Sequence, residues 1–223
     1  MASKGRPGRS ADDERKGRSR TPEGRRLAVD ERRAQLLELG LELFAATTYD
    51  ELSIDAIARA AGISKGLLYH YFPSKRDYYV ATVRVAAERL LAATEAASAD
   101  LDAPPLVLLE RGLDAYLDFV ERHGQAYAAL LRSGIGSDPE ILELVDGTRS
   151  ALAGRIAARI GVDEGDALAH TALRGWIGFV EVTSLEWQRR RDLGRERLRE
   201  LMAAMLLAAL LAAGVDLGEL AGA

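Results

Sequence analysis

The residues best suited to contact another molecule stand between positions 53 and 75 of this 223-residue chain. Ser53 and Ser64 each precede a short stretch of helical apolar periodicity, where a serine hydroxyl caps a helix by accepting a backbone N–H. Gly62 separates the two stretches and suits the positive φ of a residue that follows a helix. Two short helices joined by a glycine turn form a helix-turn-helix, whose chemistry is recognition of a surface rather than bond formation.

The second of these helices carries side chains that match the chemistry of double-stranded DNA. In a helix-turn-helix the second helix lies in the major groove, with its first residues at the base edges. Ser64 and Lys65 occupy that end, where the Lys65 ammonium can reach guanine O6 and N7, and Gly66 allows close backbone approach. Tyr69 and Tyr71 have stiff side chains that end in a hydroxyl, which suits phosphate oxygens.

The helices on either side of this one offer further donors to phosphate. Lys75 falls in the first turn of the following helix, where its ammonium and the N–H groups of that turn can face the same anion. Ser53 can do likewise at the preceding helix. Leu68 and Phe72 instead predict contacts with the core, while His70 is open to three interpretations: a base contact, a phosphate contact or solvent exposure.

Plainer interpretations of this segment also fit the residues taken singly. Two short helices joined by glycine can reflect ordinary packing, and Tyr69 can be a core tyrosine rather than a phosphate contact. Arg76 is expected to be a solvated charge, because exposed ion pairs contribute little. Agreement of many positions at fixed spacing, described below, is what favours DNA binding.

The chain lacks the residue patterns of an enzyme or a metal site. It has no cysteine, no Gly-rich phosphate loop and no Gly-x-Ser-x-Gly elbow. Its histidines, His70, His123 and His170, show no His-x-x-x-His or Glu-x-x-His spacing. We therefore expect no catalytic residue, no metal and no cofactor, and the lack of cysteine fits a reducing cytoplasm.

Charge is unevenly distributed along the chain. The net charge is −4 overall, yet residues 1–26 carry nine Lys/Arg against four Asp/Glu. This segment is rich in Gly, Ser, Arg and Pro and predicts a disordered basic tail. Its run from Lys4 to Arg9 can serve as an arm in the DNA minor groove, although a flexible solubilising tail is the commoner role of such a segment. The remaining body is acidic, so a DNA surface on it must be a local patch.

Propensity and periodicity predict an all-α fold. Apolar residues make up 48% of the chain, with Ala and Leu prominent among them, and strand alternation is weak. The predicted helices span about 29–46, 54–61, 64–71, 75–98, 106–122, 125–132, 139–160, 164–191 and 195–213. No segment has the length of a membrane span or the apolar core of a secretory signal, so we expect a cytoplasmic protein without a membrane partner.

The run from Ser53 to Lys75, SIDAIARAAGISKGLLYHYFPSK, resembles the DNA-binding signature of the TetR family of transcriptional regulators. Every element of that signature has a counterpart here. In order, these are a Ser cap, an Ile-Ala pair, Ala-Gly-Ile-Ser, a Gly, an aliphatic-Tyr pair, a Tyr before Phe and a Lys three residues later. The match covers residues 30–80 well, and the rest of the chain agrees in helical layout. Two departures, Thr48 where Gly is frequent and Tyr78 where Leu is common, lie outside the recognition helix.

This resemblance implies an N-terminal three-helix helix-turn-helix domain followed by a helical ligand-binding and dimerisation domain. We expect the basic tail to span 1–26, the DNA-binding domain 27–75, and the effector-binding and dimerisation domain 76–216. The resemblance further implies a homodimer that binds a palindromic DNA operator, by default as a repressor, and leaves it when a small effector binds. The expected DNA-contacting residues are Ser53, Ser64, Lys65, Gly66, Leu67, Tyr69, His70, Tyr71 and Lys75.

Aromatic residues in the C-terminal half predict a ligand cavity. The expected lining residues are Tyr116, Phe119, Tyr127, Leu131, Trp176, Phe179, Val180 and Thr183. The last four share one helical face, which the others can oppose. Such a cavity suits an apolar or aromatic effector, with Glu181, Thr183, His123 or His170 as polar anchors. For any single one of these residues, a filled hydrophobic core is the alternative.

The last predicted helix carries an apolar stripe that favours a subunit interface. The stripe consists of Leu198, Leu201, Met202, Met205 and Ala209, and alanine permits close approach between helices. Two-fold dimers pair naturally with palindromic operators. The alternative is that the stripe packs within one subunit. For the whole protein, the alternative function is a DNA-binding architectural protein without an effector, which would contain no open cavity.

Overall fold

The computed structural model describes residues 22–100, 102–132, 134–216 and 218, with side chains described from Val29 onward except at 125 and 129–134. Within these residues the chain is all-α, as predicted, and contains no strand. A 3₁₀ turn, Gly134–Ser137, precedes α6. The helices are α1 (Pro22–Ala46), α2 (Ile54–Ala60), α3 (Lys65–Tyr71), α4 (Lys75–Ala97), α5 (Pro105–Arg132), α6 (Pro139–Arg159), α7 (Ala167–Arg190) and α8 (Arg195–Ala212).

Helix α1 begins at Pro22, earlier than the predicted start at Val29. Proline is favoured at the first helical position, because its fixed φ suits the helix and its missing N–H would have no partner there. Residues 22–26, predicted as part of the tail, are therefore helical, while residues 1–21 lie outside the described residues. The chain divides into two compact units, Met1–Leu36 and Leu37–Ala223, and every candidate site residue belongs to the second.

The helix-turn-helix forms where serines and a glycine predict it. Ser53 Oγ accepts the N–H of Ala56 at 3.1 Å at the start of α2, and Ser64 Oγ accepts the N–H of Leu67 at 3.1 Å at the start of α3. Gly62 has a φ of 64°, in the left-handed region, and this allows the chain to turn between the two helices. The α3 backbone is thereby fixed at both its cap and its preceding turn.

Aromatic side chains hold α1 and the end of α3 against α4. Phe44 lies edge-on to Tyr79, with ring centroids 4.5 Å apart, and Phe72 lies edge-on to Tyr78 at 4.9 Å. Gly40 of α1 permits this packing, since a Cβ there would lie 2.8 Å from the Tyr78 hydroxyl oxygen. These contacts join the end of the recognition helix to the first turns of α4.

Helix α5 is continuous from Pro105 to Arg132, so the predicted break at Gly124 is wrong. Gly124 lies against the Gln188 side chain of α7, and a Cβ there would clash with that amide. Gln188 in turn donates from Nε2 to the Val120 carbonyl at 2.8 Å. The glycine serves close packing between α5 and α7, and tertiary contacts keep the helix intact despite its low propensity.

The core of the C-terminal half lies between α5, α7 and α8. Trp176 donates from Nε1 to the Met202 carbonyl at 2.8 Å, which ties α7 to α8. The Tyr116 hydroxyl lies 2.9 Å from Ser184 Oγ, which ties α5 to α7. Helices α6, α7 and α8 begin and end within three residues of the sequence predictions.

Candidate DNA-binding surface and ligand cavity

Helix α3 anchors one face in the core and presents the other to solvent. Leu68 is fully buried and Phe72 is 2% exposed, as predicted. Tyr69 and Leu67 are 42% and 40% exposed, so Tyr69 is not a core tyrosine. His70 is exposed, and its ring lies edge-on to that of the half-buried Tyr71 at 5.6 Å. The outward residues of α3 are those predicted to contact DNA.

The two capping serines keep a hydrogen-bond donor for an outside acceptor. The oxygens of Ser53 and Ser64 each accept an N–H from their own helix. A hydroxyl also carries one O–H donor, and both residues are exposed. Each serine can therefore cap its helix and donate to a phosphate oxygen at the same time.

Lys65, at the start of α3, is held by Asp55 of α2, with Nζ 2.9 Å from Oδ2. This hydrogen bond raises the pKa of the Lys65 ammonium. The two side chains are 49% and 62% exposed, so solvent screens the pair and the ammonium can leave Asp55 for a base edge at little cost. Beside it, Gly66 is exposed and a Cβ there would meet nothing within 4 Å, which leaves its backbone open to an outside molecule.

Lys75 has a structural partner that no local sequence pattern indicates. Its Nζ donates to the Tyr49 carbonyl at 2.8 Å and lies 4.2 Å from the centroid of the Tyr49 ring. Burial raises the pKa of the Tyr49 phenol. Lys75 thus ties the start of α4 to the turn after α1. An ammonium has three donors, so this contact leaves two for phosphate.

Arg76 joins α4 to the start of α6, so the expectation of a solvated charge is wrong. Its Nε lies 2.6 Å from Asp138 Oδ2 and its Nη2 lies 2.7 Å from Oδ1, a bidentate pair. Nη2 also lies 3.2 Å from Glu140 Oε2. Hydrogen bonds from Arg76 hold the pKa of the Asp138 carboxyl below its ordinary value. The paired residues are 62 positions apart, and only the fold brings them together.

A cavity of about 780 Å³ opens among α4, α5, α6, α7 and α8. Its volume lies within the range of small-molecule sites, and its walls are mainly aliphatic and aromatic. The alternative interpretation of this region, a filled hydrophobic core, is therefore wrong. Five of the predicted residues line the cavity: Tyr116, Phe119, Tyr127, Trp176 and Val180.

Two other predicted lining residues, Phe179 and Thr183, do not line the cavity. Phe179 packs, partly buried, against the hydrophobic core, and the Thr183 hydroxyl donates to the Phe179 carbonyl at 2.7 Å. The cavity face of α7 includes Ile177 and Glu181, so it is rotated by about one residue from the predicted face. The Leu131 side chain lies outside the described residues.

A polar cluster formed by Tyr127, Arg149 and Glu181 faces the cavity. The Tyr127 hydroxyl donates to Glu181 Oε1 at 2.7 Å. Arg149 contacts the same carboxylate through Nη2 at 2.7 Å and through Nε at 3.0 Å. Glu181 was predicted as a polar anchor, whereas Arg149 was missed. A basic residue among apolar neighbours on α6 is the signal that could have pointed to it.

The two remaining predicted anchors are displaced from the cavity. His123 packs beside Phe119, with ring centroids 4.9 Å apart, and lines a smaller neighbouring cavity. Burial lowers the pKa of His123, which favours the neutral ring. His170 lies 3.2 Å from the Asp163 carbonyl, before the start of α7. Neither imidazole is placed to bind a ligand in the large cavity.

The outward faces of α7 and α8 carry apolar residues that no element in the described part of the chain covers. On α8, Leu198 and Met202 belong to the subunit's own core, while Leu201 and Met205 are 44% and 40% exposed. The predicted stripe therefore divides between two faces, and Ala209 is half-buried. On α7 the outward stripe consists of Leu168, Thr171, Gly175, Gly178 and Val182.

Among the residues that the structure describes, no group of three or more His, Asp or Glu side chains could hold a metal ion. The helices in this part of the chain include none that is both long and apolar enough to cross a membrane. These findings concern the described ranges alone.

Comparison with known proteins identifies the family. Residues 36–82 match the model for bacterial regulatory proteins, tetR family, and residues 105–209 match the model for the tetracyclin repressor-like C-terminal domain. The HTH-type transcriptional regulator TcmR of Streptomyces glaucescens is 30% identical over 193 residues, which cover 80% of this chain and 84% of that protein. The chain belongs to the TetR family of transcriptional regulators. Members of this family are DNA-binding regulators and not enzymes.

Other relatives agree with this assignment. The HTH-type transcriptional activator FasR of Mycolicibacterium smegmatis is 29% identical over 160 residues, which cover 72% of each chain. A crystal structure of a tetR-family transcriptional regulator from Streptomyces coelicolor matches this TetR-family chain with a TM-score of 0.77 and 34% identity, over 86% of both chains. The helix-turn-helix and the helical domain after it are therefore those of a TetR-family regulator.

Proposed function

We propose that this TetR-family regulator is a repressor that binds a palindromic operator as a homodimer and leaves it when a small, largely apolar effector fills the cavity. The division into a DNA-binding domain at 27–75 and an effector-binding and dimerisation domain at 76–216 is part of this proposal. Because operator DNA lies in the cytoplasm, the proposed function places the protein there.

The surface of α3 and the caps around it supports the DNA contacts. Lys65 would exchange Asp55 for guanine, and the exposed Leu67 would meet a thymine methyl group. Tyr69 and the free hydroxyl donor of Ser53 suit phosphate oxygens. The full set of proposed contacts is Ser53, Ser64, Lys65, Gly66, Leu67, Tyr69, His70, Tyr71 and Lys75.

The exposed stripes of α7 and α8 support the homodimer. A two-fold interface uses the same patch on both subunits, and its helices pack closely where side chains are small. Gly175 and Gly178 leave the middle of this α7 face without side chains, and the exposed Leu168 and Val182 lie on either side of them. A Cβ at either glycine would meet nothing within 4 Å, so space is open for a neighbouring helix.

The observation that carries the proposal is the contact between the cavity and the DNA-binding helices. Helix α6 lines the cavity with Leu144, Thr148 and Leu152, and its N-cap, Asp138, holds Arg76 in the first turn of α4. A ligand that favours another position of α6 would therefore move α4 and, with it, α3. This shift requires the ligand to bind the two positions with different affinity.

Two other functions are alternatives to this proposal. An architectural DNA-binding protein without an effector has no need of a cavity of about 780 Å³, so the cavity favours a ligand-responsive regulator. An activator would use the same parts with the opposite outcome, and the relative FasR is named as an activator. Repression is proposed because it is the default of the family, and a shift of α4 that displaced α3 from the DNA would produce release.

Selection from a random-sequence DNA library tests the proposal. The purified protein should enrich a palindrome whose half-sites lie about one helical turn, roughly 10 base pairs, apart or a multiple of it. A Tyr69→Ala/Lys65→Ala variant should enrich no such sequence, while Arg111→Ala, on an exposed part of α5, should behave as the unaltered protein does. Enrichment of no motif by the unaltered protein would favour the architectural function.

A further inference from the structure

The serine and threonine hydroxyls along the cavity already donate within their own helix. The hydroxyls of Thr94 and Thr148 donate to the carbonyls of Leu90 and Leu144, at 2.9 and 2.7 Å. The Ser98 hydroxyl donates to the Thr94 carbonyl at 2.7 Å. These groups have no further proton to offer a ligand.

The two tyrosines of the cavity are also committed as donors. Ser184 has a single hydroxyl proton, which it donates to the Glu181 carbonyl at 3.0 Å. Tyr116 must therefore be the donor in its 2.9 Å contact with Ser184. Tyr127 donates its proton to the Glu181 carboxylate at 2.7 Å. A ligand group that needs a donor must find it elsewhere.

Arg149 has donors to spare. A guanidinium carries five N–H groups, and the contact with Glu181 uses only Nε and Nη2. The Tyr127 hydroxyl also interacts with Arg149, which still leaves the number of N–H groups above the number of acceptors. The Arg149 side chain is 32% exposed, against 14% for Glu181, so the guanidinium is the more accessible partner.

The cluster carries no net charge. Hydrogen bonding to Glu181 raises the pKa of Arg149 and keeps the guanidinium charged. Burial raises the pKa of Tyr127, and the nearby Glu181 carboxylate raises it further, so the phenol stays neutral. A ligand carboxylate would be repelled by Glu181 and a ligand ammonium by Arg149. Either would also add a charge beside an ion pair that is already balanced, and burying such a charge is costly.

We infer that Arg149 donates to an uncharged hydrogen-bond acceptor on the effector, such as a ketone, ester or amide carbonyl, with Glu181 and Tyr127 as positioning residues. The rest of such a molecule is largely apolar, because most of the other lining residues are aliphatic or aromatic. The inference deepens the proposed function and rests on it only in taking the cavity as the effector site.

A second arginine of α6 provides a matched control. Arg155 also lines the cavity, six residues further along the helix and about 9 Å away by helical rise. Its guanidinium donates to the Leu91 carbonyl at 2.7 Å and to Glu95 at 3.0 Å, and it is 40% exposed. Loss of Arg155 removes a positive charge from the cavity wall and leaves the cluster of Tyr127, Arg149 and Glu181 intact.

Three probes with the same ten-carbon chain separate the head groups: 2-decanone, decanoate and decylamine, each titrated into the full chain at neutral pH. Tryptophan fluorescence reports binding, since Trp176 lines the cavity and Trp187, the other tryptophan, does not. The ketone should bind at least about tenfold more tightly than either charged probe. Arg149→Met should weaken ketone binding about tenfold, while Arg155→Met should change it less than about twofold.

A specificity change tests the positioning role of Glu181. Glu181→Gln removes the negative charge that balances Arg149. Decanoate should then gain affinity and bind more tightly than the ketone. If Glu181 only stabilised the fold, its replacement would not reverse this preference. If Arg149→Met alone does not fold, the double variant Arg149→Met/Glu181→Leu replaces the pair with apolar residues of similar size. That variant should fold and should lose the preference for the ketone.

Four results would overturn the inference: tighter binding of a charged probe by the unaltered protein, no binding of any probe, unchanged ketone binding in the double variant, or a greater loss with Arg155→Met than with Arg149→Met. Operator release, followed by fluorescence anisotropy of labelled DNA, is scored separately. Decanoate that binds and releases DNA would support the proposed function and contradict the head-group assignment. If the ketone binds through Arg149 and the protein stays on the DNA, the head-group assignment would be supported and the proposed release of DNA would be contradicted.

Discussion

Arg76 and Asp138 form a bidentate ion pair between the helix that follows the recognition helix and the helix that lines the ligand cavity. The guanidinium contacts both carboxylate oxygens, at 2.6 and 2.7 Å. Asp138 also accepts the N–H of Glu140 at 3.0 Å as the N-cap of α6. Its side chain is 13% exposed, so the pair is better shielded from solvent than the 3.0 Å contact between Arg84 and Glu140.

Replacing Arg76 with methionine is expected to destabilise the fold in a pH-dependent way. Hydrogen bonds from Arg76 lower the pKa of Asp138 below its ordinary value of 3.8. The pair therefore stabilises the folded protein above that value, and the contribution is lost as pH falls through the lower pKa of the folded state. Urea unfolding should show a large difference between Arg76→Met and the unaltered protein at pH 7 and a smaller one near pH 3.

Arg84→Met is the matched control for this pair. Arg84 contacts Glu140 alone and is half exposed, so its loss should shift the urea midpoint less than the loss of Arg76. A difference for Arg76→Met that is equal at both pH values, or no larger than that for Arg84→Met, would show that Asp138 is not the stabilising partner.

Gly40→Ala is expected to destabilise the protein by about 1–3 kcal/mol, because it overpacks the contact between α1 and α4. A Cβ at this position would lie 2.5 Å from Thr82 Oγ1 and 2.8 Å from the Tyr78 hydroxyl, and both of these side chains are buried. Gly147→Ala, in an exposed part of α6 with open space at Cβ, should instead stabilise by about 0.5–1 kcal/mol. Thermal or urea unfolding measures both, and a stabilised Gly40→Ala variant would contradict the packing described.

The DNA-binding half was largely predictable because its determinants are local. Serine caps, the positive φ at Gly62 and the buried Leu68 each follow from residues within one turn of the position concerned. What was missed involves partners far apart in sequence. The Arg76–Asp138 pair and the contact from Lys75 to Tyr49 arise only when separate helices meet.

The cavity was predicted in outline and misplaced in detail. Aromatic residues at helical spacing located the correct helices, but a rotation of about one residue decides whether Phe179 or Glu181 faces inward. Packing of α7 against α5 and α8 sets that rotation, and the periodicity of a single helix does not determine it. Gly124 shows the same limit, since its neighbour Gln188, and not its propensity, explains its presence.

Val182→Glu is expected to convert the proposed homodimer to a monomer. Val182 is 69% exposed at one end of the α7 stripe, and a two-fold interface would bring the two glutamates into an apolar patch. Leu142→Glu, at a 53% exposed position on α6, introduces the same charge away from that stripe and should leave the dimer intact. Sedimentation velocity distinguishes the two states. A dimeric Val182→Glu protein, or a monomeric Leu142→Glu protein, would place the interface elsewhere.

Lys65 at the start of α3 and Lys75 at the start of α4 should respond differently to removal. Lys65→Ala should reduce operator affinity about tenfold and relax base preference, while stability stays unchanged because its partner Asp55 is exposed. Lys75→Ala should lower the salt dependence of binding by about one unit of slope. It should also cost about 1 kcal/mol of stability through loss of the Tyr49 contact. Anisotropy titrations at several salt concentrations, with urea unfolding of each variant, separate these effects, and equal behaviour of the two variants would refute the assigned roles.

Titration of a labelled fragment from the gene's own upstream region, against random competitor DNA and at two salt concentrations, tests sequence-specific regulation most directly. The proposed function predicts tight binding that survives the competitor at both salt concentrations and is lost with Tyr69→Ala/Lys65→Ala. Weak binding that the competitor abolishes, with the double variant indistinguishable from the unaltered protein, would contradict it.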